Sequence, residues 1–129
     1  MRYFLDTSTY LWFVTADERL NDMARTLLED SEHEAFLSLV SIWEMAIKSS
    51  LGRGLELPSP FDQLVENEIE SDRFQLLDIT VPYLKRVAAL PYHHRDPFDR
   101  LLIAQSLAEN LPIITNDVAF DHYPIQRVW

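Results

Sequence analysis

The sequence has no cysteine and only two glycines, Gly52 and Gly54. The first absence removes disulfides, thiolate zinc sites and cysteine nucleophiles together, and it fits a reducing compartment. The second removes any glycine-rich loop able to cradle a dinucleotide or a triphosphate. Basic residues are also few: 11 Lys and Arg stand against 21 Asp and Glu, a formal charge of −10. Holding nucleic acid by bulk attraction requires a basic surface and counterion release, so that class of protein is disfavoured. An enzyme that meets nucleic acid through cations gathered on a pocket of acids is not. No run of about 18 apolar residues exists, and no basic stretch leads into an apolar segment with a small-residue cleavage site. The expectation is a soluble, unexported, cytoplasmic protein with no membrane association.

What is present suffices for a single domain over residues 1–129. A chain of 129 residues, 47% of them hydrophobic, can bury about two-thirds of its unfolded surface around one core. Arg2-Tyr3-Phe4-Leu5 reads as an apolar strand that runs straight into Asp6. Thr7 to Val14 then reads as a short helix with Thr7 or Ser8 as its cap, although Asp6 could serve as a cap as well. Asn21 caps a second helix whose Met23, Ala24, Leu27 and Leu28 share one face. Ala35 to Ser38 forms the next strand, followed by a helix from Leu39 to Leu51 that Gly52 closes. Glu44 interrupts the apolar stripe Val40, Ile47, Leu51 of that helix. A charge placed there needs a partner, because stranding it costs on the order of several kcal/mol; Lys48, one turn on, can supply an ion pair.

Two prolines make the segment from Arg53 to Pro60 a loop. Phe61 to Ser71 is expected as one amphipathic helix with Phe61, Leu64, Val65 and Ile69 inward and a solvated acidic face. Phe74 to Ile79 is a third strand and Val81 to Leu90 a further helix. His93 and His94 fall in a loop with no third histidine at ligand spacing, so solvated imidazoles are expected rather than zinc ligands. Asp96 caps the next helix, Pro97 takes its first position, and Asp99 sits two residues further in, where a carboxylate also suits the helix dipole. Capping accounts for both acids. Yet Leu102 and Ile103 follow Asp99 at one turn, which turns Asp99 toward the buried side. Pro112 to Thr115 is a short buried strand ahead of Asn116-Asp117, and Pro124 to Val128 an edge strand.

Short apolar strands alternating with helices indicate an α/β architecture, a parallel sheet with helices on both faces. In such sheets sites form beyond the carboxyl ends of the strands. Asp6, Glu44, Asp99 and Asp117 can all reach that edge by topology. Four clustered carboxylates would raise one another's pKa unless cations joined them. Hard divalent ions, Mg²⁺ or Mn²⁺, suit such oxygen donors, and a pair of them about 3.5–4 Å apart can activate water and stabilise the leaving oxygen in phosphodiester hydrolysis.

Taken together, Phe4-Leu5-Asp6-Thr7-Ser8, Ser41-Ile42-Trp43-Glu44-Met45-Ala46-Ile47-Lys48, the segment from His94 to Gln105 and Ile114-Thr115-Asn116-Asp117-Val118-Ala119-Phe120 resemble the PIN-domain ribonucleases, in particular the VapC-type toxins of toxin–antitoxin pairs. The resemblance covers nearly the whole chain in order. It implies a three-layer α/β/α PIN-like fold with a parallel sheet of about five strands, Mg²⁺- or Mn²⁺-dependent cleavage of an RNA substrate, neutralisation by a VapB-like antitoxin, and a homodimer. It carries Asp6, Glu44, Asp99 and Asp117 over as catalytic metal ligands, leaves Asp96 as a cap beside them, and suggests that Ser8 and Thr115 orient ligands or water. Relatives often carry histidine or asparagine just after the first acid; here Thr7-Ser8-Thr9 stands instead.

Two other classes compete. A catalytically inactive PIN-like interaction module would keep most of this sequence. A phosphoacceptor signalling domain wants paired acids after the first strand, an acceptor aspartate after a central strand and a late lysine. Here Asp6 stands alone, Asp78 runs on into Ile79-Thr80, and no lysine follows Lys85.

Overall fold

The computed structural model describes residues 1–129. Strands β1 (Arg2–Leu5), β2 (Glu34–Ser38), β3 (Gln75–Leu77), β4 (Ile113–Ile114) and β5 (Arg127–Val128) form one sheet in the order β3-β2-β1-β4-β5. Every neighbouring pair is parallel. Parallel strands require crossovers on the sheet faces. Six helices supply them between β1 and β4, namely α1 (Thr7–Val14), α2 (Asp22–Glu29), α3 (Leu39–Leu51), α4 (Phe61–Asn67), α5 (Val81–Ala89) and α6 (Pro97–Glu109), and a 3-10 turn, Val118–His122, lies between β4 and β5. None is long and apolar enough to cross a membrane.

Alternation along the strands divides the core in two. Tyr3, Leu5, Leu37 and Ile114 face a cluster completed by Tyr10 and Leu11 of α1, Ala24 and Leu28 of α2, Met45 of α3 and Leu64 of α4. Phe4, Phe36 and Ile113 face the opposite way, onto Tyr83 of α5 and Leu101 to Ile103 of α6. Burial on both sides explains why the central strands β1, β2 and β4 read as nearly continuous apolar runs.

Several boundaries differ from the sequence reading. Beyond Asn67 the chain tightens into a 3-10 turn, Ile69–Ser71, before Asp72 takes a left-handed φ of 63°. Leu64 and Ile69 lie five positions apart, about 140° around an α-helix at 100° per residue; the tighter turn brings both into one cluster. The third and fifth strands are shorter than expected. Helix α3 buries Val40, Ser41, Glu44 and Met45, whereas Leu51, assigned to its stripe, is 61% exposed. Gly52 does close α3, at φ 68°.

Helix α6 is fixed to the sheet edge by polar contacts. Gln105, fully buried, accepts from Ser38 Oγ at 2.6 Å and donates to the carbonyl of Asp78 at 3.0 Å, which ties α6 to the ends of β2 and β3. Arg100 is buried without a carboxylate. Its guanidinium donates to the carbonyls of Val87, Leu90, Pro91 and His94 at 3.0 to 3.4 Å and stacks on Tyr92. A cation so placed satisfies the free carbonyls at the end of α5 and opposes the helix dipole there.

Candidate metal centre

Register places the first pair of site residues. Leu5 of β1 is paired with Ile114 of β4, so the next residues, Asp6 and Thr115, emerge side by side at the carboxyl edge. Thr115 Oγ1 donates to Asp6 Oδ2 at 2.6 Å and accepts from the Asp117 amide at 3.0 Å. Asp6 Oδ1 takes the Thr9 amide at 2.8 Å. Asp6 is therefore the cap of α1, in place of Thr7 or Ser8, and faces the site with its other oxygen. Burial pushes its carboxyl above the ordinary range, against hydrogen bonds from Thr115 and Thr9 that pull it down; the charge of Asp117 adds to the rise.

Glu44 enters from α3. The Thr7 hydroxyl donates to its Oε1 at 2.6 Å and shares a second bond with Ser41 Oγ at 2.9 Å. Lys48 Nζ meets Oε2 at 2.5 Å, the ion pair expected from their spacing. Gly54 makes room for the lysine stem: at φ 96° it has no side chain, and a Cβ there would lie 3.2 Å from Lys48 Cδ. Ser8, expected to orient ligands, lines a groove with Trp12, Arg19 and Gly52 to Pro58. The hydroxyl beside the acids is that of Thr7, one residue earlier.

Asp99 comes from the first turn of α6. Asp96 caps the helix by accepting the Asp99 amide at 3.0 Å, which leaves the Asp99 carboxylate free to project toward the strand ends. Burial first, then the charges of Asp96, Asp6, Glu44 and Asp117, push it up to about 8. Acids from three other parts of the chain thus act on Asp99. Asp117 takes the Ala119 amide on Oδ1 and is the most open of the set, its side chain 41% exposed.

His94 departs most from expectation. It is not a solvated loop residue: its side chain is 15% exposed, and Nε2 lies 3.1 Å from Asp99 Oδ2 and 3.5 Å from Asp117 Oδ2. These three residues form a compact group of potential donors. No spacing signal announces this, because the imidazole reaches acids on other elements; only its position just ahead of the Asp96 cap hints at proximity.

The donors fit a divalent cation. All four carboxylates offer hard oxygen donors, the pocket holds more negative charge than Lys48 offsets, and the charges of Asp96, Asp6, Glu44 and Asp117 add to the burial that raises the Asp99 carboxyl.

Comparison with known proteins agrees with this architecture. The fold matches VapBC from Salmonella typhimurium bound to DNA, with a TM-score of 0.72 at 15% identity over 99% of this chain and 97% of that one. It matches VapBC2 from Rickettsia felis bound to a promoter fragment with a TM-score of 0.71 at 16% identity, over 100% and 99%. FitAcB from Neisseria gonorrhoeae follows, with a TM-score of 0.67 at 16% identity over 100% and 97%. No curated protein sequence matches. The family model described as the PIN domain matches residues 3–126. With nearly its whole length matched and the parallel sheet in place, the chain belongs to the PIN-domain family.

Proposed function

We propose that this protein is a Mg²⁺- or Mn²⁺-dependent endoribonuclease toxin of the VapC type, cytoplasmic and homodimeric, that hydrolyses RNA phosphodiester bonds and is restrained by a VapB-like antitoxin. The observation that carries the reading is the convergence of acids at the carboxyl edge of the sheet: Thr115 bridges Asp6 Oδ2 and the Asp117 amide, and Asp99 Oδ2 and Asp117 Oδ2 lie 3.1 and 3.5 Å from one imidazole nitrogen. An arrangement so costly in the free protein is accounted for by a cation that relieves it.

Asp6, Glu44, Asp99 and Asp117 would hold the metal. A divalent ion bound there would activate water and stabilise the leaving oxygen of the phosphodiester. The chain's own part is placement. Thr115 fixes Asp6 and the backbone of Asp117, Thr7 and Lys48 fix the two oxygens of Glu44, and Asp96 sets the start of the helix that presents Asp99. The same acidic pocket suits an arginine or lysine from a basic antitoxin segment, which would block it by charge pairing. The VapBC complexes that share the fold support an antitoxin partner.

The test is incubation of the purified protein with structured RNA in Mn²⁺ or Mg²⁺, beside EDTA and Asp99→Asn controls. Cleavage in the metal-containing reaction alone is expected. Cleavage that persists in both controls would refute the assignment. For the partner, an antitoxin peptide that binds equally well after its basic residues are changed to alanine would refute charge pairing.

A further inference from the structure

We propose that His94 is a positioning residue of the acidic site, one that turns a ring N–H toward Asp99 and Asp117 and holds those two carboxylates in place without ligating the ion. The inference rests on the metal-site reading above and extends it to a residue outside the four acids.

Geometry fixes the imidazole on all sides. The Asp96 amide donates to Nδ1 at 3.2 Å. A backbone amide is always a donor, so Nδ1 is the bare nitrogen and the ring proton resides on Nε2. That proton is on the edge that lies 3.1 Å from Asp99 Oδ2 and 3.5 Å from Asp117 Oδ2, so one N–H faces an oxygen of each acid. The loop cannot easily present the ring otherwise. The His94 amide donates to Tyr123 Oη at 3.0 Å, its carbonyl accepts from Arg100 at 3.4 Å, and the ring stands edge-on to Phe120.

The same bonds argue against His94 as a metal ligand. Coordination through Nε2 would move the proton to Nδ1, where it would oppose the Asp96 N–H, donor against donor. The compact group His94, Asp99, Asp117 is accordingly two acids and a hydrogen donor. The donor joins acids from α6 and from the turn after β4.

Two measurements test the proposal. Nitrogen NMR of the imidazole in the metal-free protein should show a protonated Nε2 and a bare Nδ1. Mn²⁺ binding, followed by electron paramagnetic resonance, should weaken on the order of 10-fold in His94→Ala, as for other residues that orient metal ligands. His94→Gln, whose amide places an N–H near the same point, should recover most of that loss. A proton found on Nδ1, unchanged Mn²⁺ binding by the folded alanine variant, or a glutamine variant as weak as alanine would each overturn the role of His94. Failure of the wild-type protein to bind Mn²⁺ would instead overturn the metal-site reading itself, so the two failures are distinguishable.

Discussion

Replacing Asp99 by asparagine should stabilise the metal-free protein while destroying its capacity for the ion. In the folded chain the Asp99 carboxyl is carried from 3.8 to about 8 by burial and by Asp96, Asp6, Glu44 and Asp117. At about 1.36 kcal/mol per pH unit, the charged form is disfavoured by an upper limit of about 6 kcal/mol. Relaxation of the pocket and water entry reduce this, and we expect about 2 kcal/mol, or about 7 °C in Tm for a domain of this size. The sign follows from linkage. Between pH 4 and 8 the folded state holds a proton on Asp99 that the unfolded chain has released, so stability falls as pH rises through this window and levels off above it. The favourable contribution is fully present below about pH 4. The assay is thermal unfolding in EDTA from pH 4 to 9, for wild type and Asp99→Asn, repeated with Mg²⁺. The variant should show the shallower decline and the higher Tm at pH 8, and Mg²⁺ should raise the Tm of the wild type alone. An asparagine variant no more stable than wild type at pH 8 in EDTA, with parallel pH profiles, would refute the claim that the acids strain one another.

Other perturbations test the supports of the site. Thr115→Val keeps the shape but removes the buried donor to Asp6 and the part-buried acceptor for the Asp117 amide; a loss of about 2 kcal/mol in urea denaturation is expected. Arg100→Leu leaves the carbonyls of Val87, Leu90, Pro91 and His94 without their donor; it should cost about 3 kcal/mol by the same measurement, and Arg100→Lys should recover little because one ammonium cannot span that set. Gly54→Ala forces a side chain into a left-handed backbone and onto the Lys48 stem. It should destabilise by about 1 kcal/mol and lower RNA cleavage if Lys48 holds Glu44 in place.

The sequence made much of this visible, for reasons specific to each residue. Glu44 broke an apolar stripe, and Asp99 lay on the inward side of a helix already capped by Asp96; an acid that capping and solvation do not explain is a conspicuous object. Asp6 and Asp117 followed buried strands, and a parallel sheet sends such residues to one edge. His94 left no such trace, because its neighbours Asp99 and Asp117 meet it through folding rather than through periodicity. Which hydroxyl served Glu44 was equally hidden, since Thr7 and Ser8 differ only in their rotation about α1. Strands β4 and β5 are two residues long, too short for an alternating pattern to mark their limits. The break after Asn67 depended on where Ile69 had to land in a core that no local window contains.

The join between β1 and β4 also bears on when the site is completed. Asp6 and its hydroxyl donor Thr115 are 109 residues apart, and Asp117 comes later still. During synthesis the central strand emerges early while the neighbour that completes its edge emerges late. A nascent chain of this protein therefore carries Asp6 and Glu44 past the ribosome without a finished pocket. The acidic edge is complete only once β4 has paired with β1, so the site is among the last parts of this fold to form.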